Sequence, residues 1–266
     1  MIEIKIGFFD SGIGGLSVLH RAMKILPSEE FIFFADEDHV PYGTKTREEV
    51  LAFTDSAFEF LMSRQVKAIV VACNTATSVA VRAMRAKYSV PIIGMEPAVK
   101  KALETTSQKI LVIATPITVH GEKMHRLLDR FDADNRAELL ALPRLVDFAE
   151  RLEFDSPAVR KYLQENFSQY DFEKFGALVL GCTHFNYFKD VLREILPTQV
   201  KFIDGNDGTI NELIRQLGTN LIIGNSDSEP DSRLEVYFSC RPITDSENLN
   251  RIENFLRRLD FVEDIE

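Results

Sequence analysis

The sequence predicts an α/β protein built from two similar parallel-sheet halves. Three observations predict it. Short, branched apolar runs alternate with amphipathic segments of helical length, the pattern of a parallel sheet covered on both faces. The chain has 266 residues, 45% of them hydrophobic, enough to bury two modest cores. One local design occurs twice: "AIVVACNT" (68–75) and "ALVLGCTH" (177–184) each run an apolar strand into a cysteine followed by polar residues.

The elements follow in order. "MIEIKIGFFDSG" opens with a strand at 4–9 and has an acid in its third position. It lacks the basic start and long apolar stretch of a signal peptide, so a cytoplasmic location is expected. "FFDSGIGG" (8–15) then places an acid, a hydroxyl and glycines before a helix at 14–26. Such glycines let backbone N–H groups approach an anion, or simply make a tight strand–helix turn capped by Asp10 or Ser11. The motif is neither a Walker A loop nor a dinucleotide fingerprint. A strand at 31–35 follows, and "VPYGTKT" (40–46) reads as a turn ending in a helix cap. The helix at 46–63 is read from Val50, Phe53, Ala57, Phe60 and Leu61 at helical spacing. Beyond it lie a strand at 68–72, a helix at 75–88, a strand at 91–95 and a helix at 96–106. Strands at 109–114, 177–181 and 201–204 and helices at 118–131, 156–167, 185–195 and 207–217 continue the alternation. "GNSDSEPDSR" (224–233) reads as a solvated acidic loop, and a segment near 247–259 closes the chain.

Breaks are expected after Glu96 and after Asp204, where "DGNDG" is turn-like, with the tail packing back on the first half. Ligands of parallel sheets lie beyond the carboxyl ends of the strands. The polar residues there are Asp10, Ser11, Asp36, Cys73, Asn74, Thr75, Glu96, Thr115, Cys182, Thr183 and His184.

The net charge of −10 argues against a nucleic-acid or anionic-membrane partner, since both require clustered Lys and Arg. A small anionic substrate remains compatible, held by backbone N–H groups and hydroxyls. No apolar run reaches about 18 residues, so no membrane span is expected. The three cysteines lack any C-x-x-C spacing, and no metal site is indicated. Cys240 in "VYFSCRP" has no strand-end context and reads as structural, and Glu150 reads as an exposed helix charge.

A cysteine just before a helix feels that helix's positive end, and Asn, Thr and His neighbours donate hydrogen bonds. Both effects favour thiolate. Two thiols offered from two similar halves suggest that a proton leaves one face of a carbon and returns on the other. A cysteine hydrolase needs one nucleophile and one base instead, and a disulfide switch needs the sulfurs at bonding distance.

The pieces "FFDSGIGGLSVL", "VPYGTKT", "VVACNTAT", "PIIGMEP", "VIATPITV" and "LVLGCTHF" together resemble the glutamate racemases of the aspartate/glutamate racemase superfamily. The resemblance runs from about residue 6 to 211. It implies two α/β domains facing each other across a cleft, 1–96 plus 208–266 and 97–207. It implies interconversion of L- and D-glutamate for peptidoglycan synthesis without a cofactor. Cys73 and Cys182 would be the acid/bases, Asp10 assisting the first and His184 the second. Ser11, Pro41, Tyr42, Gly43, Asn74, Thr75, Thr115, Thr118 and Thr183 would line the substrate pocket. "LPRLVDFAE" aligns Glu150 with the family's catalytic-site glutamate, although Leu142 stands where that motif usually has cysteine. Asp147 and Asn186 also replace residues that are commonly proline. Aspartate racemase and a non-catalytic anion-binding module are the alternatives. A homodimer is expected because two-fold assemblies are the commonest.

Overall fold

The computed structural model describes residues 5–221 and 234–265. The expected loop at 224–233 falls wholly outside them, as does the first residue of the strand expected at 4–9. The described residues form two sheets. The first contains β1 (Ile6–Asp10), β2 (Phe31–Ala35), β3 (Ala68–Val71), β4 (Ile92–Gly94), β9 (Leu234–Phe238) and β10 (Arg241–Pro242). The second contains β5 (Lys109–Ala114), β6 (Ala137–Ala141), β7 (Phe175–Leu180) and β8 (Lys201–Ile203).

Strand order shows the duplication. The first sheet runs β10-β9-β2-β1-β3-β4 and the second β6-β5-β7-β8. All neighbours are parallel except β9 with β10. Omitting β9 and β10, each sheet reads second-first-third-fourth. A crevice opens where strand order reverses, between the first and third strands. Asp10 ends β1 and Cys73 follows β3. Thr115 follows β5, and Cys182 lies just beyond β7. The two cysteines therefore occupy equivalent places in equivalent sheets.

The central strands are apolar throughout because helices cover both faces: β1, β2, β3 and β7 are buried at every position. One apolar core joins the two sheets, from Phe8 and Phe33 through Leu111 and Val146 to Phe188 and Phe255. Helix Arg47–Ser63 begins with a capping box, in which Thr46 accepts from the Glu49 N–H and the Glu49 side chain binds the Thr46 N–H. The C-terminal helix Ser246–Val262 starts at an Asp245 cap and buries Ile252, Phe255 and Leu259. Its Phe255 ring packs on Tyr187 at 5.1 Å and on Phe154 at 5.8 Å. Arg258 binds the Tyr187 carbonyl at 2.9 Å and Asp190 at 2.5 Å. The end of the chain is thus anchored beside the second cysteine.

Several expected elements differ. The helix at 75–88 is two, Asn74–Val79 and Val81–Lys87, and that at 118–131 is Pro116–Val119 followed by Glu122–Phe131. The helix at 96–106 starts only at Val99. After Cys182 the chain forms a 3-10 turn, Thr183–Phe188, and becomes α-helical only over Lys189–Ile195. Strands β6 and β9 lie in segments to which the sequence pattern assigned no element, and the helix expected around Glu150 spans Arg144–Glu150. Cys240 is exposed, in the β9–β10 turn with φ 69°, and fills no core.

Candidate active site

The strand ends converge on a small cavity of about 10 Å³, room for roughly one water. Cys73 and Cys182 both line it. Ser11, Pro41, Tyr42, Gly43, Asn74 and Thr75 supply the first half of its wall. Thr115, Val146, Thr183 and His184 supply the second. Of the expected pocket residues, Thr118 and Asp10 stand behind this wall. Thr118 is joined to Thr115 (3.1 Å), which reaches Thr75 across the cleft (3.0 Å). Val146 is a wall residue that the sequence did not mark. Among the described residues, no group of three or more His, Cys, Asp or Glu could hold a metal ion.

Cys73 is the N-cap of helix Asn74–Val79. Its sulfur accepts the Ala76 N–H at 3.4 Å, and its thiol lies 3.5 Å from Ser11 Oγ. These contacts favour thiolate, as the sequence led us to expect, but they do not prevail. Burial, and after it the nearby Asp10 charge, pushes the thiol up to about 12. The correction has a simple cause. Burial penalises the anion more than one N–H and one hydroxyl compensate.

Asp10 is fully buried. Its Oδ1 accepts from the Gly12 N–H (3.1 Å) and from Ser11 Oγ (3.3 Å), and its Oδ2 accepts from Thr183 Oγ1 (3.1 Å). Burial raises it to about 6, against the nearby His184 charge and these donors. Neither Asp10 nor Ser11 caps the following helix through its side chain.

On the opposite wall, His184 Nδ1 faces Cys182 Sγ at 3.7 Å and Nε2 meets Glu150 Oε1 at 2.6 Å. Burial would depress the imidazole, but its bonds to Cys182 and Glu150 raise it well above its ordinary value. Cys182 is not capped by an α-helix, so the helix-end field expected there is confined to the first sheet.

Glu150 is not the exposed helix charge its surroundings in sequence suggested. Its side chain is 14% exposed, and it receives the Ile13 N–H on Oε1 (3.1 Å) and Arg251 on Oε2 (2.7 Å). Burial pushes its carboxyl up, and His184, Arg251 and the Ile13 N–H more than reverse that. The glycine turn therefore does place an N–H on an anion, and that anion is Glu150. A Cβ on Gly12 would sit 2.3 Å from Glu150 Oε1, and one on Gly14 would sit 2.4 Å from His184 Nδ1. These glycines let a carboxylate and an imidazole approach the backbone. The contribution of Arg251, 101 residues further on, left no sequence signal.

Chemically, this is an α/β site with two thiols facing one chamber, one from each of two matched sheets. Residues 16–213 match the family model described as Asp/Glu/Hydantoin racemase, and the chain belongs to that family. It is 51% identical to the glutamate racemase of Campylobacter curvus (strain 525.92), over 96% of this chain and 97% of that one. Its structure is similar to that of glutamate racemase from Campylobacter jejuni subsp. jejuni, with TM-score 0.80, 30% identity and coverage of 96% and 98%. Glutamate racemase from Francisella tularensis subsp. tularensis SCHU S4, solved in complex with D-glutamate, has TM-score 0.80 at 28% identity, covering 97% of this chain and 95% of that one.

Proposed function

We infer that this chain is a cofactor-independent glutamate racemase that supplies D-glutamate for peptidoglycan synthesis. The observation that carries the reading is the pair of thiols at equivalent strand ends lining one cavity, in a chain 51% identical to a glutamate racemase along nearly its whole length.

Glutamate would lie between the two sulfurs. In the L-to-D direction the Cys182 thiolate takes the α-proton, and the electron pair passes into the carboxylate-stabilised carbanion. The Cys73 thiol then donates its proton to the opposite face, leaving Cys182 protonated and Cys73 as thiolate. The reverse direction exchanges the two roles. Burial, and then Asp10, raises the basicity of the Cys73 thiolate above that of a free thiolate, which suits a weak carbon acid. His184 donates toward Cys182, and Glu150 holds the imidazole. Ser11, Asn74, Thr75, Thr115 and Thr183 offer donors to the substrate's carboxylates in a chamber from which water is excluded, where such contacts act most strongly. Pro41, Tyr42 and Gly43 close one side, and Thr118 supports Thr115. The substrate-handling units would be 1–96 plus 208–266 and 97–207. Among the described residues, no helix is long and apolar enough to cross a membrane, and we place the enzyme in the cytoplasm as a homodimer.

The test is a chiral assay on protein freed of pyridoxal phosphate and metal, run in deuterated water with L-glutamate, D-glutamate and L-aspartate. Product formed early should carry deuterium at the α-carbon while recovered substrate stays largely unlabelled. Cys73→Ala and Cys182→Ala should each abolish inversion in both directions. Turnover of aspartate alone would reject the glutamate assignment. A folded Cys73→Ala protein with near wild-type turnover would reject the two-thiol mechanism.

A further inference from the structure

Glu150 lies at the centre of a chain of charged groups that extends past the chamber to the C-terminal helix. One carboxylate oxygen points inward to His184 (2.6 Å) and the Ile13 N–H (3.1 Å). The other points outward to Arg251 Nη2 (2.7 Å), and the same nitrogen reaches the Glu150 carbonyl at 3.4 Å. Arg251 Nη1 holds a second carboxylate, Glu37 Oε2, at 3.0 Å. Its guanidinium stands 5.5 Å from the Phe238 ring and 5.7 Å from the Phe255 ring, within an apolar collar. Side-chain exposure is only 23% for Arg251, 15% for Glu37 and 14% for Glu150. One cation thus separates two largely buried carboxylates.

We propose that Arg251 is a positioning residue, which from the C-terminal helix holds Glu150 ionised and turned toward His184 and so governs proton transfer at Cys182. This rests on the racemase reading above. Five charged or titratable side chains feel Glu150: His184, Arg251, Glu37, Asp10 and Tyr187. Without Arg251, Glu150 loses a cation that opposes its burial, and repulsion from Glu37, while that group is ionised, adds to the rise of its carboxyl. Glu37 already sits at about 7, through burial and then the Glu150 charge, with Arg251 opposing. A protonated Glu150 no longer stabilises the imidazolium, and His184 loses both its charge and its fixed orientation beside the sulfur.

The sign of the effect follows. Arg251 holds the Glu150 carboxyl down, so its removal moves the acid limb of the rate profile upward. An opposite charge at this range is worth about one pH unit or more. Three variants test this, with kcat measured against pH in both directions: Arg251→Met, Arg251→Lys and Arg251→Met with Glu37→Gln. Arg251→Met should shift the limb upward by about one unit, a loss of about tenfold at a pH on the wild-type limb. Arg251→Lys keeps the charge and should hold the limb near wild type. Glu37→Gln removes the opposing carboxylate and should restore the part of the shift that Glu37 repulsion contributes. A purely structural arginine would instead lower the melting temperature of Arg251→Met with an unmoved limb and no rescue by Glu37→Gln, and that result would overturn the proposal. If the wild-type protein itself does not racemise glutamate, the functional reading fails first, and this inference fails with it.

Discussion

Asp10 shows how one carboxylate can set the working range of a sulfur. Its charge raises the Cys73 thiol, while its own value is raised by burial to about 6. Asp10→Asn removes the charge, keeps one oxygen to accept the Gly12 N–H, and turns an amide donor toward the Thr183 hydroxyl, which can accept in its place. Cys73 should then be the more acidic thiol, and its alkylation should speed up by about tenfold for each pKa unit recovered. The difference should vanish below about pH 6, where wild-type Asp10 is itself neutral. Peptide-level mass spectrometry after timed alkylation reads the ratio, and a ratio that does not change with pH would sink the account. Stability carries the same signature. The folded-state value of Asp10 lies above the unfolded one, so stability is lost as pH climbs from about 4 to about 6, and the Asn variant should lack that slope. Single residues also mark the limit of what the sequence could tell. Cys73 and Cys182 were legible because the strand-end pattern repeats. Glu150 was legible only through a family motif, since its neighbours read as an ordinary helix surface. Arg251 was not legible, because its partners lie far away in the chain.

At the scale of elements, the glycine turn after β1 leaves little room for change. A Cβ at Gly14 would stand 2.4 Å from His184 Nδ1 and 2.6 Å from Thr183 Oγ1, inside contact distance of two wall residues. Gly14→Ala should cost about a hundredfold in kcat, the usual price of an ångström-scale misplacement. Far-UV dichroism should remain near wild type. Full activity in a folded Gly14→Ala protein would mean that the His184 position is not set by this turn. The strands β1, β2, β3, β4, β5 and β7 were readable because their apolar runs are nearly continuous, and β8 (Lys201–Ile203) falls within the strand expected at 201–204. β6 (Ala137–Ala141) is a half-buried edge strand carrying Glu138, and its alanines and leucines fit a helix as readily as a strand. β9 (Leu234–Phe238) is parallel to β2 yet follows it by some two hundred residues, so no local alternation announces it. The split helices at Ala80 and at His120–Gly121 are breaks that helical periodicity does not register.

For the whole molecule, the matched strand orders place two thiols in one chamber and leave the third outside. Cys73 and Cys182 are buried and Cys240 is exposed. Under native conditions a neutral alkylating reagent should therefore modify one thiol quickly and two slowly, and in denaturant all three alike. Saturating glutamate should slow the two further, since ligand stabilises the closed form. Equal native rates for all three would show a chamber open to solvent. A chamber of about 10 Å³ also has to open before an amino acid can enter. That sealing bears on the bookkeeping of protons between turnovers. The catalyst finishes each conversion in a different protonation isomer from the one in which it began: the sulfur that was bare is loaded, and the loaded one is bare. Resetting requires exchange with bulk water, and a closed, dry site makes that exchange a step of its own. At high substrate an enzyme left in the D-ready isomer meets D-glutamate before it resets. Flux of one enantiomer can then drive a labelled pool of the other away from equilibrium, for as long as the protein retains the memory of its last product.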